Sequence, residues 1–225
     1  MPALSHPHPG FRLPLALVVL TYAGCVPVGC ASPRAGAPAE WADRLSPTSD
    51  RESFDSAAPA LQVLICLGLT HGTHTGLRLL RPGEETIFWD PAGQYGRNRD
   101  DLVRRRDVFA AGAPTMAEYV RWRFDGAGDA AVSVFEWRLA PERARYFASI
   151  LTHEADGVEF ETTTIGLFCC RAVCRFLERH AQVEMSIPQR WIRPEDLGEH
   201  LWSQQPARVA IFFADGSIEV FESPK

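Results

Sequence analysis

The apolar positions of the chain follow two periods, and the change from one to the other marks its elements. Residues 61–69 (LQVLICLGL) form a short continuous apolar run between polar flanks, which predicts a buried strand. Thr70-His71-Gly72 reads as a Gly-bearing turn, and a second strand starts near His74. Arg81-Pro82-Gly83-Glu84 is a hairpin turn signal, followed by a return strand over 86–90 that Pro91-Ala92-Gly93 ends. Residues 131–139 (AVSVFEWRL) alternate as a strand does, and 207–213 with 217–221, joined by Ala214-Asp215-Gly216, predict a closing hairpin. Helical spacing appears between them. Residues 115–123 predict a helix with Thr115 as N-cap and Glu118 three positions on. Pro141 opens another, running through His153 with Phe147, Ile150 and Leu151 inward. Arg193-Pro194-Glu195-Asp196-Leu197 opens a short helix reaching Trp202, and the charged stretch 94–107 reads as loop or helix.

The most informative stretch is 162–177 (TTTIGLFCCRAVCRFL). A threonine run and Gly166 lead into two adjacent cysteines that open an amphipathic helix. At about 100° per residue, Val173, Phe176, Leu177 and His180 share one face and Arg171, Arg175, Glu178 and Arg179 the other. Cys169 and Cys170 fall in the first turn, at opposite margins of the apolar face. There, unsatisfied N–H groups and the helix dipole favour a thiolate. A cysteine nucleophile also needs a base. If the 81–84 loop centres on Pro82-Gly83, antiparallel pairing sets His74 opposite or diagonal to Asp90, within reach. A carboxylate beside an imidazole orients it and favours its charged form.

Plainer readings stand beside these. Free cysteine is a common core residue, and Cys66 and Cys174 read that way. His71 reads as a loop residue, His153 and His180 as packing or capping groups, and Asp90 before Pro91 also fits a turn former. A zinc site built from His71, His74 and a cysteine has suitable donors, but its spacing is unlike common zinc motifs. The six cysteines contain no CxxC pair with metal spacing.

Composition narrows the class. The chain has 225 residues, 46% of them hydrophobic, enough for one domain with a proper core once a leader is set aside. The net charge of −5 leaves no basic footprint for nucleic acid. Arg104-Arg105-Arg106, flanked by Asp100, Asp101 and Asp107, reads as a solvated helix face. Residues 1–30 read as an export signal: Arg12, then a short apolar run over 13–20, then Thr21-Tyr22-Ala23-Gly24-Cys25. Ala23-Gly24-Cys25 resembles the end of a bacterial lipoprotein signal, with Cys25 lipidated after cleavage. Ordinary secretion, or a cytoplasmic protein with a misassigned start, are the alternatives. Residues 31–59, rich in Ala, Pro, Ser and Asp, are expected to be a tether, with the folded domain over 60–225. The expected location is the cell envelope.

Histidine on an early strand, an acid on the next, and a late Gly-x-x-Cys at a helix start together resemble the circularly permuted papain-like thiol enzymes. That group includes permuted NlpC-type hydrolases and lecithin:retinol acyltransferase-like proteins. The stretch Thr164-Ile165-Gly166-Leu167-Phe168-Cys169-Cys170-Arg171-Ala172-Val173 is similar in register to the group's cysteine motif. That register matches Cys169 to the nucleophile, with Cys170 as the alternative. Phe168 stands where the group often has asparagine. His74 in His-Thr-Gly-Leu-Arg-Leu matches the early histidine, and Asp90 in Phe-Trp-Asp-Pro-Ala-Gly the third residue. The resemblance spans about 61–205. It implies an α+β fold, a small antiparallel sheet with packed helices, and thioester chemistry on a peptide or acyl substrate without metal or cofactor. Three expectations follow: an exported cysteine amidase or peptidase acting on cell-wall peptides, an acyltransferase of the same fold, or a non-enzymatic envelope binding protein.

Overall fold

A computed structural model describes residues 54, 58–69, 72–91, 95, 102–103, 108–152, 169–187 and 193–222. The leader with Cys25, most of the 31–59 stretch, His71, His153 and the 162–168 lead-in to the cysteine helix lie outside the described residues.

The continuous apolar run becomes β1 (Ala60–Leu67), and the histidine strand becomes β2 (Gly72–Leu80). They pair antiparallel, with Cys66 directly across from His74 and a register shift just beyond. The tight turn follows Pro82-Gly83: Gly83 has φ 82°, and the Glu84 N–H donates to the Arg81 carbonyl at 2.9 Å. Proline before a residue in the left-handed region is the chemistry of a type II turn. The turn delivers β3 (Ile87–Trp89), which pairs with β2 only over Leu77–Leu79. Two very short strands follow, β4 (Leu102–Val103) and β5 (Val108–Phe109). β4 falls inside the charged stretch expected to be loop or helix, because two residues are too few to carry a period.

The helix α1 (Met116–Trp122) carries the expected capping box, with Thr115 and Glu118 each accepting from the other's backbone. A π-helical turn (Arg123–Ala127) prolongs it. Then come β6 (Ala131–Arg138), α2 (Pro141–Thr152), α3 (Cys169–His180), α4 (Pro194–Trp202), and the hairpin β7 (Arg208–Phe213) and β8 (Ile218–Glu222). The eight strands among the described residues form one antiparallel sheet in the order β4-β5-β3-β2-β1-β6-β7-β8, with helices packed on it as expected. The fold is α+β.

Both sheet faces are covered, which explains why β1 is apolar without alternating. Leu61, Val63 and Ile65 join Leu77, Leu79, Phe147, Val173, Leu177 and Leu197 in one core, beneath α2, α3 and α4. Leu64 and Cys66 join Phe88, Phe109, Met116, Tyr119 and Phe212 in the other, beneath α1. Phe54 belongs to this second core at 2% exposure, and its carbonyl accepts from Gln62 Nε2 at 2.9 Å. The stretch expected to be a tether is therefore anchored to the fold at Phe54. An aromatic isolated among polar residues leaves no periodic trace.

Candidate active site

Three residues distant in sequence meet at the open flank of β2. β3 covers β2 only as far as Leu77, so the segment Gly72–Gly76 has β1 on one side and no partner strand among the described residues on the other. Cys169, the first residue of α3, comes in at that gap. Its thiol is hydrogen-bonded to the His74 side chain and to the backbone N–H groups of Thr75 and Cys170. On its far side His74 Nε2 meets Asp90 Oδ1 at 2.6 Å, which leaves Nδ1 as the ring nitrogen for the thiol. All three side chains are buried: Cys169 2%, His74 5% and Asp90 2% exposed.

The charges settle as such a line requires. Burial alone would lower the His74 pKa, but the Asp90 charge and hydrogen bond, with help from Cys169, raise it to about 9. Burial alone would raise the Asp90 pKa; His74, the Tyr119 hydroxyl and the Arg123 charge hold it below the usual carboxylate range instead. For Cys169, burial again favours the neutral form, and the His74 hydrogen bond and charge together with the two N–H groups overcome it. Its thiol lies below its ordinary value. Both shifts favour a thiolate and an imidazolium side by side.

Cys170 behaves differently. It is wholly buried within the helix-side core, and its hydrogen bond to Cys174, followed by burial, pushes its pKa up. One helical residue is a rotation of about 100°, and that turns this thiol from the flank into the interior. The bonds to His74 and to the Thr75 and Cys170 N–H groups are made by Cys169, and Cys170 makes none of them. Cys66 and Cys174 are core residues, as expected; burial raises Cys66 to about 12. His180 packs on Phe176, with its Nδ1 bonded to the Tyr146 hydroxyl at 2.7 Å.

Four further residues surround the site, none of them singled out by the sequence reading. Tyr119 donates to Asp90 Oδ1 at 2.8 Å. Arg123 Nε donates to Asp129 Oδ2 at 2.5 Å and its Nη2 to the Thr73 hydroxyl at 3.0 Å. That hydroxyl donates in turn to Asp129 Oδ1 at 2.5 Å, so β2 is clamped one residue before His74. A sequence signal existed: Met116, Tyr119, Val120 and Arg123 share one helical face, so a cation lies in line with the core positions. Among the described residues, no group of three or more His, Cys, Asp or Glu side chains is placed to hold a metal.

No protein-family model matches the chain, and no curated protein matches it. Among solved structures the chain is similar to that of a type VI secretion system effector, TseH, at 8% identity and a TM-score of 0.44. That alignment covers 73% of this chain and 98% of the other. A likeness of that size does not establish kinship.

Proposed function

We propose that this protein is a cysteine hydrolase that cleaves an amide or peptide bond, with Cys169 as nucleophile, His74 as general acid and base, and Asp90 as orienting carboxylate. One observation carries the reading: the unbroken hydrogen-bonded line from thiol to imidazole to carboxylate, with the thiol pKa lowered and the imidazole pKa raised. Attack of the Cys169 thiolate on a carbonyl carbon forms the C–S bond and an oxyanion. The Thr75 and Cys170 N–H groups that bond the sulfur are the donors assigned to that charge in this proposal. Collapse expels the amine, which takes the proton of His74. Water then attacks the thioester, His74 accepts its proton, and the C–S bond breaks to restore the thiolate.

The site of action belongs to the same proposal. Export through the 1–30 leader with lipidation at Cys25 sets the enzyme at the cell envelope, where cell-wall peptides are the matching substrate. The test is to incubate the protein and its Cys169→Ala variant with cell-wall peptides and to measure new amino groups and the mass of the protein. Release of amine by the unmodified protein alone, with an acyl adduct on Cys169 at early times, supports hydrolysis. An adduct that water leaves intact and an added amine discharges assigns an acyltransferase instead. Neither release nor adduct contradicts the reading.

A further inference from the structure

The Asp90 carboxylate is held asymmetrically. Oδ1 receives both the His74 ring nitrogen at 2.6 Å and the Tyr119 hydroxyl at 2.8 Å, while the buried Oδ2 has no partner among the described residues. A carboxylate with one donor can turn about its Cβ–Cγ bond and offer either oxygen. Two donors converging from different elements remove that freedom.

Tyr119 is itself fixed. Its ring is 1% exposed and lies edge-on to Phe88 with centroids 4.6 Å apart and to Tyr95 at 5.7 Å. The Arg123 clamp on Asp129 and Thr73 ties the C-terminal end of the same helix to β2 beside His74. Burial and the neighbouring carboxylate keep the phenol protonated, so it donates and cannot accept the imidazole proton. The charged and titratable groups around Asp90 come from every element packed on it: His74 from β2, Cys66 from β1, and Tyr119 and Arg123 from α1 and its π-turn.

We infer that Tyr119 is a positioning residue for the thiol–imidazole pair, acting through Asp90: its hydroxyl fixes which carboxylate oxygen faces His74. The inference rests on the Cys169–His74–Asp90 reading and deepens it. Nothing in it requires Tyr119 to touch a substrate. Loss of the hydroxyl frees the carboxylate to rotate and makes it easier to protonate, so the imidazolium beside Cys169 is held less firmly.

The test is a double-variant cycle on the full chain: unmodified protein, Tyr119→Phe, Asp90→Asn and the pair, with His74→Ala as reference. The readout is the alkylation rate of Cys169 by iodoacetamide between pH 5 and 9. Tyr119→Phe is expected to slow Cys169 about tenfold near pH 6, as loss of one hydrogen bond to a charged group would, and to move the acid limb upward. In the Asp90→Asn background the same change should alter the rate by less than about twofold. Equal slowing in both backgrounds would make Tyr119 a packing residue only and overturn the inference. So would a profile that depends on His74 and Asp90 but not on Tyr119, and that outcome leaves the hydrolase reading standing. If the unmodified protein and His74→Ala label alike, the underlying reading falls, and the inference with it.

Discussion

Asp90 reaches the His74 ring diagonally. The β2–β3 register pairs Leu77 with Trp89 and Leu79 with Ile87, which sets Gly76, not His74, across from Asp90. His74, Gly76 and Asp90 share one face of the pleat, and Gly76 puts no side chain between the other two. The 2.6 Å contact therefore depends on the hairpin register, which the Pro82-Gly83 turn sets. A one-residue slip would turn Asp90 to the opposite face.

The pH dependence of stability follows from two shifts of opposite sign. His74 titrates near 9 in the fold against 6.5 when free, so its contribution is complete below 6.5 and lost as pH rises through 9. Cys169 titrates below its ordinary value, so its contribution is present at high pH and lost as pH falls. The two contributions oppose each other where both groups titrate, so stability in the unmodified protein falls with pH less steeply than the histidine alone would make it. In Cys169→Ala only the histidine remains, and stability falls by about 1.4 kcal/mol per pH unit from 6.5 towards the folded His74 pKa. Urea unfolding of both proteins across this range measures the difference.

Removing the carboxylate leaves a buried imidazole without its partner. Asp90→Ala is expected to lose about 3–5 kcal/mol, the scale for breaking a buried pair from one side. Asp90→Asn keeps the shape and loses less. In both, the His74 ring protons should titrate below the value of about 9 set by the native pair, which proton NMR reads directly.

Cys170 is a packing residue in this account. Cys170→Ala should cost roughly 1 kcal/mol, as for deletion of one buried methyl-sized group, and leave the alkylation of Cys169 unchanged at pH 6. Mass-resolved labelling with a thermal melt checks both halves.

Gly72 marks the close approach of α4 to the site. Its N–H donates to Glu195 Oε2 at 2.9 Å, and a Cβ at this position would lie 2.7 Å from Pro194 Cβ and 2.9 Å from the Glu195 nitrogen. Gly72→Ala is expected to lose about 1–3 kcal/mol by forcing the first turn of α4 away from β2. Its thermal midpoint should drop without any change in net charge.

What the sequence discloses depends on the reach of each signal. The β1 run, the turn at Pro82-Gly83, the Thr115–Glu118 cap and the amphipathic cysteine helix are local patterns, and each appears within a residue or two of its expected place. Turn chemistry let the closeness of His74 and Asp90 be expected, whereas Cys169 was matched to a nucleophile only through the resemblance of its motif in register to the permuted papain-like enzymes. The doublet Cys169-Cys170 stayed open because both fall in the first turn; only packing of α3 against the sheet tells which thiol turns inward. Helix phase set Tyr119 and Arg123 on the core-facing side, but their bonds to Asp90 and Asp129 were not legible, since no local period records a hydrogen bond to a loop residue. β4 and β5 escaped for a simpler reason: strands of two residues have no period.

The central claim is that His74 activates Cys169. The most direct measurement is the rate at which iodoacetamide alkylates Cys169, followed from pH 5 to 10 with mass-spectrometric assignment of the modified residue, in the unmodified protein and in His74→Ala. Comparing the two removes the accessibility they share. The account predicts alkylation at Cys169 well below the free-thiol pKa of about 8.5, with the half-maximal rate moved upward by His74→Ala. Two profiles that superimpose near that ordinary value, or alkylation at Cys170 in preference to Cys169, would contradict it.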